Sequence, residues 1–398
     1  MATADRYDVI VIGAGPAGFA AALGAARQGR RVLLVEQNSG PGGIAVFSGC
    51  PVFSGIASLE SEQYNSVTGE LIEELQKLDS AKIVGHTLTS SEAAVQLAMS
   101  RLLQKHGVKL LFYATLVGAE VREQRIESVQ VFCAGQHLSF SASAYVDASG
   151  DAVLAYLAGA EVIRGTPEES MTRTVLFRLS NVKSFDKSSL KERFAKKEFP
   201  LSIQDCFMGT TPTDGTVLMN LTAVAGDALD PWDLTRMDLE LREQITVIVP
   251  WLQREFPEFS EARLVAVAPR IGVRASRNIA GRQLLRCVDI DENRPVSDPV
   301  AVGKRSYGEH FIHTFSSPWR KTHTGPQPIP YGALLAAPLQ NLAAAGRCIA
   351  VETRAVSSIR LMPCCLATGL AAGIAAAMQF PEYNILEEKL LQENCRLH

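Results

Sequence analysis

Three glycines and one carboxylate carry the clearest chemistry in this chain. Gly13, Gly15 and Gly18 sit in the run Gly13-Ala14-Gly15-Pro16-Ala17-Gly18, and Glu36 follows a short way on. That pattern suits a bound dinucleotide. Gly13 permits a tight turn, Gly15 leaves the backbone bare for a pyrophosphate, and Gly18 allows close helix–sheet packing. A carboxylate at Glu36 accepts hydrogen bonds from an adenosine ribose, with Gln37 beside it. The competing reading is a glycine-rich turn that holds nothing. The pattern serves NAD and FAD alike.

The remaining candidates each have a plain alternative. Arg354 is a candidate to grip a substrate carboxylate bidentately, against an ion pair with Glu352 or another acid. Arg270, Arg274 and Arg277 recur in the run PRIGVRASR and form a candidate anion pocket, with Arg274 the leading substrate residue. Structural pairing competes there too. Arg360 serves either the local loop or a substrate. His310, His313 and His323 are candidate acids or bases in a turn-rich stretch, against ordinary surface histidines. Cys364-Cys365 stands at a helix start, where thiol pKa falls, against two small buried hydrophobes. Cys50, in the loop SGCP, is a candidate to face a bound cofactor, against the same plain reading.

The elements around the glycine run are legible. Val9 to Ile12 is a β-branched apolar run, predicting a strand buried on both faces. Phe19 to Gln28 reads as a helix stopped by Gly29, and Val32 to Val35 as a second strand. Free N–H groups at that helix start favour phosphate. Gln37 to Ser54 is a loop punctuated by glycine and proline, and Glu60 to Leu78 is an amphipathic helix. Thr89-Ser90-Ser91-Glu92 predicts a capping box with Thr89 as cap, opening a helix to His106. Val108 to Tyr113 is a strand. A β-meander follows at Leu116 to Val121, Ile126 to Cys133 and His137 to Phe140, and then a further strand at Ala144 to Ala148.

The texture changes near Glu161. Strands at Val175 to Leu179 and Thr216 to Ala223, a further apolar run at Val265 to Ile271, and helices at Ser188 to Lys197 and Arg236 to Phe256 predict an antiparallel sheet covered on one face. The end of the chain returns to the first style, with a strand at Leu342 to Ala345 and an Ala/Gly helix at Cys364 to Met378. Leu361 to Phe380 lacks charge and is long enough to span a bilayer. Its Ala/Gly content and its Pro363, Thr368 and Gln379 predict a buried helix instead, so no transmembrane segment is expected.

The chain has 398 residues, 47% hydrophobic and 20% charged, with net charge −3. No basic field is present for nucleic acid. The eight cysteines show no metal spacing. Together with the lack of a signal-peptide pattern, they predict reduced thiols and a cytoplasmic protein.

Four segments resemble one known group. They are YDVIVIGAGPAG with VLLVEQ and PGGIA, VDASGDA, ARLVAVAPRIGVRASRNIAG, and IPYGALLAAPLQNLAAAGRCIA followed by SSIRLMPCCLATGLAAG. Together they resemble the FAD-dependent oxidoreductases among the two-dinucleotide-binding-domain flavoproteins. Within these, the chain is similar to the family that includes the flavin core of heterodisulfide reductase. The resemblance implies FAD as cofactor and an α/β fold: a Rossmann-like domain with a doubly wound sheet and β-meander, plus an inserted α+β substrate or cap domain. Residues 1–160 and 328–398 would form the first part, and 161–327 the second.

The same resemblance assigns site residues. Gly13, Gly15, Pro16, Ala17, Gly18, Glu36 and Gln37 would hold the ADP half of FAD. Gly42, Gly43 and Ile44 would run beside the flavin end, and Val117 would touch the adenine through its backbone. Ala148, Ser149, Gly150 and Asp151 would line the pyrophosphate and ribityl region. Gly346 and Arg347 would follow the ribityl phosphate, with Ile359, Arg360, Leu361 and Met362 at the ring. Where many relatives have His in Thr-His-Glu-Ala, this chain has Thr353 in Glu352-Thr353-Arg354-Ala355. The family's proton-transfer group is therefore not carried over. The expected reaction is hydride transfer at flavin N5 to or from a small polar organic substrate. Electrons would pass to that substrate, oxygen, a quinone or a protein partner. The alternatives are an electron-transfer component of a larger redox complex and a flavin monooxygenase.

Overall fold

The strand Asp5–Ile12 lies inside the main sheet, and Val9, Ile10 and Val11 are fully buried there. This is a computed structural model that describes residues 5–56, 65–166, 169, 171–201, 207–308 and 320–398. Along the main sheet the order is Lys109–Leu111, Val32–Val35, Asp5–Ile12, Gln136–Asp147, Arg125–Cys133 and Ala114–Arg122. Leu342–Ala344 adds a parallel pairing to Gln136–Asp147, so chain from near the C-terminus completes the sheet. The pairs on either side of Asp5–Ile12 are parallel, as a doubly wound sheet requires. The meander strands are antiparallel.

Three local expectations change. The strands expected at His137 to Phe140 and Ala144 to Ala148 are one strand of 12 residues, Gln136–Asp147. Its polar middle looks like a turn. However, the strand changes partner there, from Arg125–Cys133 to Asp5–Ile12, without breaking. Tyr145 helps hold the middle: its hydroxyl accepts from Ala142 N at 2.9 Å and donates to Glu127 O at 3.1 Å. Ser91, not Thr89, caps the helix Glu92–Lys105, accepting from Ala94 N at 3.2 Å. Thr89 ends a strand and donates to Lys82 O, while Glu92 pairs with Arg178. The helix expected from Arg236 begins earlier, as Pro231–Glu255, because Asp230 caps it and Pro231 occupies its first turn.

A second sheet runs Phe207–Thr210, Val217–Asn220, Phe177–Ser180, Arg263–Val267, antiparallel throughout. Its own core joins Phe177 and Leu179 to Met237, Leu241, Ile248, Trp251 and Phe256. That core draws on residues from Val175 to Ala262, whereas Ile279, Val300, Ala301 and Ile329 belong to the main core. Leu176 and Leu218 pack with Val52, so the second sheet touches the loop that follows Glu36.

The helices Pro16–Arg27 and Met362–Ala377 cross in close contact. A Cβ on Gly369 would lie 2.1 Å from Ala17 O, and one on Gly373 2.0 Å from Ala21 O. Only glycine allows the two backbones this approach. Leu366, Leu370 and Ile374 are fully buried, which accounts for the long uncharged stretch. Among the described residues no single helix is long and apolar enough to cross a membrane.

Candidate cofactor site

One groove connects the sequence-distant segments. Gly13, Gly15, Pro16 and Ala17 line it from the first turn, and Glu36 and Gln37 from the end of the second strand. Gly43 and Ile44 follow. Ala148, Ser149, Gly150 and Asp151 enter from the end of the long strand, and Gly346, Arg347, Arg360 and Met362 from the C-terminal part. Residues 330 or more positions apart therefore share one wall, as Gly15 and Met362 do.

The glycine turn has the geometry a phosphate needs. Gly13 has φ +93°, and a Cβ there would stand 2.6 Å from Ala148 O. Gly15 is the N-cap of Pro16–Arg27, and Pro16 occupies the first turn. At Gly15 a Cβ would find only Gly43 Cα, at 3.8 Å, so its bare side opens on the groove. A dinucleotide phosphate fits this cradle. Gly18 does not line the groove. Its α-hydrogen side lies under Gly13 O and near Ala148 Cβ, which holds the helix against the turn.

Glu36 is 5% exposed, yet its carboxylate reaches the groove. Its Oε2 accepts from Ala14 N at 2.7 Å. Its Oε1 accepts from Asn38 N at 2.8 Å and Asn38 Nδ2 at 2.6 Å. The acid therefore braces the glycine turn as well as lining the groove. Asn38 lines the groove too and was not anticipated.

Asp151 and Arg347 form the middle wall. Arg347 donates to Asp151 Oδ1 at 2.8 Å and to Ser276 Oγ at 3.2 Å. Ser276 also donates to Asp151, and Arg277 Nε donates to the Asp151 carbonyl at 2.9 Å. Burial pushes the Asp151 carboxyl up, but the Arg347 charge, the Ser276 and Arg347 hydrogen bonds and Arg277 outweigh it. Its pKa falls below the usual carboxylate value. A lowered acid stabilises the fold above its unfolded pKa, and that contribution disappears as pH falls toward the folded value. Asp151→Asn should therefore lose about 1–2 kcal/mol near pH 7, a figure reduced because the pair is partly exposed to solvent. The deficit should shrink toward pH 3. Urea unfolding at both pH values checks this; an equal deficit at both would refute it.

Several anticipated residues lie elsewhere. Arg274 is buried away from the groove wall, donating to Thr172 O at 2.7 Å and Thr172 Oγ1 at 2.9 Å. Arg354 pairs with Glu169 at 3.0 Å, not with Glu352. Glu352 instead accepts from Cys287 N. Val117 is 44% exposed and outside the groove, whose wall uses Ala114, Thr115 and Leu116 of the same strand. Gly42 supports the wall from behind, donating to Ala14 O at 2.8 Å. Ile359 is fully buried, and Leu361 faces a neighbouring cavity with Pro363 and Cys364.

The titratable candidates are resolved in the same way. His323 meets Asp291 at 2.9 Å, together with Tyr307 and Lys321, off the groove. His310 and His313 lie outside the described residues. Cys365 lines the groove, but burial pushes its thiol up to about 12, and burial also raises Cys364 and Cys50. These thiols stay protonated near neutral pH, which argues against thiolate redox chemistry. Among the described residues no group of His, Cys, Asp and Glu could hold a metal.

Phe47, Ser48, Ile271 and Val273 also line the groove, with Ile44 and Met362. Met362–Ala377 begins there, with Leu361 as N-cap and Pro363 in its first turn. Residue spacing signalled neither Phe47 nor Ser48, because they enter the wall through a loop.

The FAD dependent oxidoreductase family matches this sequence over residues 8–387. Over 39 residues the chain is 56% identical to an opine oxidase subunit of Agrobacterium tumefaciens, covering 10% of this chain and 8% of that protein. Over 80 residues it is 35% identical to the alpha subunit of sarcosine oxidase of Rhizobium meliloti, covering 20% and 7%. The chain thus spans less than a tenth of the length of these curated relatives. The myxobacterial chondrochloren halogenase CndH has a similar structure, with TM-score 0.53 and 12% identity over 98% of this chain and 79% of that one. At that identity the likeness concerns the fold alone.

Proposed function

The chain belongs to the family of FAD-dependent oxidoreductases, and on that premise we propose that it is a dehydrogenase or reductase of a small polar organic substrate. The supporting observation is the single groove that joins the first glycine turn to the loop before Met362–Ala377. FAD, when bound, supplies hydride transfer at its N5.

The chain's own residues do the rest. Gly13, Gly15 and the first turn of Pro16–Arg27 hold the diphosphate, and Glu36 accepts from the ribose hydroxyls. Arg347, kept in place by Asp151 and Ser276, lies along the middle of the cofactor. The N-terminus of Met362–Ala377 would favour negative charge on a bound flavin ring, by about 0.3–2 kcal/mol. Arg360 lines the groove beside Met362. It replaces Arg274 and Arg354 as the substrate-facing cation, suited to a carboxylate. The second sheet, which meets Val52 beyond the groove loop, covers the reacting side and selects the substrate.

Thr353 is 8% exposed and packs against Gly165, so it is no substitute for a histidine in proton transfer. A dehydrogenase would pass electrons onward to oxygen, a quinone or a protein partner, and a reductase would pass them to the substrate itself. The described cysteines are all free, in keeping with a reducing cytoplasm.

Anaerobic mixing of the yellow protein with candidate substrates tests this reading. Opines and sarcosine lead the screen, followed by hydroxy acids and other amines. Enoates are tried against the reduced protein. Bleaching, or reoxidation, of flavin absorbance by one class is the expected result. Failure with every class, together with NAD(P)H-dependent oxygen uptake stimulated by an added substrate, would replace the dehydrogenase with a monooxygenase. Failure on both counts, with flavin reduced only inside a stable complex, would favour an electron-transfer component.

A further inference from the structure

Residues 269–273 leave the second sheet and cross to the groove. Ala268 N donates to Leu176 O at 2.8 Å, and Gly272 N to Thr174 O at 2.7 Å, so both ends are tied to the second sheet's side. Between them the chain is tied to the loop after Glu36. Arg270 N donates to Phe47 O at 2.9 Å, and Ser48 Oγ to Ile271 O at 3.2 Å. Arg270, Ile271 and Val273 all line the groove. The segment is a strap across the cofactor site.

Its only charged side chain is Arg270. The guanidinium donates to Asn38 Oδ1 at 3.1 Å, and Asn38 in turn donates twice to Glu36. This places the cation at the ribose end of the groove. A guanidinium has five N–H donors, and the Asn38 bond engages one. Among the described residues no carboxylate pairs with Arg270, whereas Arg347 of the same groove is tied to Asp151. A doubly charged diphosphate and a ribose would bring the acceptors Arg270 lacks.

We propose that Arg270 is a cofactor-binding residue, carried by the strap from the second sheet onto the ADP half of FAD. The backbone held at Phe47 and the side chain turned onto Asn38 bring this exposed arginine to the groove rather than to open solvent. The strap also makes the second sheet part of the cofactor site.

The test is titration of apoprotein with FAD, followed by quenching of flavin fluorescence, for the wild type, Arg270→Ala and Arg270→Lys. ADP serves as competitor. Arg270→Ala should weaken FAD about ten- to a hundredfold, and ADP by a similar factor. Arg270→Lys should recover part of the loss, and the salt dependence of binding should be shallower in Arg270→Ala. Melting of the apoprotein should not change, because the side chain is exposed. FAD affinity within about threefold of wild type would overturn the proposal. So would weaker FAD with unchanged ADP competition, or a loss matched by a lower apoprotein melting temperature. None of these readouts depends on the substrate, so the assignment of the reaction stands or falls separately.

Discussion

Glu36→Ala should reduce FAD affinity by about a hundredfold or more while the second core stays folded. The size of the effect follows from the two tasks of this carboxylate. Facing the cofactor, it supplies acceptors for ribose hydroxyls. Facing the protein, it accepts from Ala14 N, Asn38 N and Asn38 Nδ2. Alanine leaves the buried Ala14 N–H without this acceptor, costing about 1–3 kcal/mol, and turns the part-buried Asn38 N–H groups back to solvent at a smaller cost. Part of that cost appears as a looser glycine turn, which must then be ordered again when the phosphate binds. Glu36→Gln keeps one carbonyl acceptor and should fall between the two. The second core, from Val175 to Ala262, does not include Glu36 and should keep its share of the circular dichroism signal. FAD titration of the apoprotein, with a thermal melt alongside, measures both. Unaltered FAD affinity would remove Glu36 from the ribose site.

The sequence is most readable where a residue's role is decided within a few positions of itself. The β-branched run before Gly13, the turn and the helix behind it need only local sterics, and the structure keeps all three, with Val32–Val35 as expected and the first strand and helix starting earlier, as Asp5–Ile12 and Pro16–Arg27. Side chains whose partners come from far away were less legible. Arg274 and Arg354 are long, charged and near the right segments, but Thr172 and Glu169 claim them. In PRIGVRASR, spacing suggested a common anion pocket for three arginines. The strap instead divides them among Asn38, Thr172 and Asp151. Thr89, with Glu92 three residues on, fitted the capping box, whereas Ser91 is followed at that spacing by Ala94. Pairing of Thr87–Thr89 with Val52–Ser54 decided between them, by drawing Thr89 into a strand. The second core is also narrower than the change in texture near Glu161 suggested, because the hairpin Pro299–Tyr307 with Lys321–Pro330 contributes to the main core.

The crossing of Pro16–Arg27 and Met362–Ala377 leads to the other large effect. The groove depends on it from two sides, since one helix begins at the glycine turn and the other at Met362, and both line the groove. Gly369→Ala would place a methyl group 2.1 Å from Ala17 O, inside any allowed contact. Ala17 has little room to retreat, because it already faces Gly346, where a Cβ would sit 2.8 Å from it. The helices must separate, at about 1–3 kcal/mol or more for an overpacked contact. Separation moves the phosphate turn and the ring loop apart, so FAD affinity and melting temperature should fall together. Helix propensity alone predicts the opposite, because alanine is the better helix former by about 1 kcal/mol. Gly69→Ala isolates that opposing term. Gly69 lies inside Ser66–Lys77 with nothing within 4 Å of its added Cβ. It should stabilise the protein by about 0.5–1 kcal/mol and leave FAD binding untouched. The same substitution, glycine to alanine within a helix, should therefore act with opposite sign at the two positions. Thermal melts and FAD titrations of both variants decide the matter. A Gly369→Ala protein that melts no lower than wild type would mean that the two helices are not held at this distance.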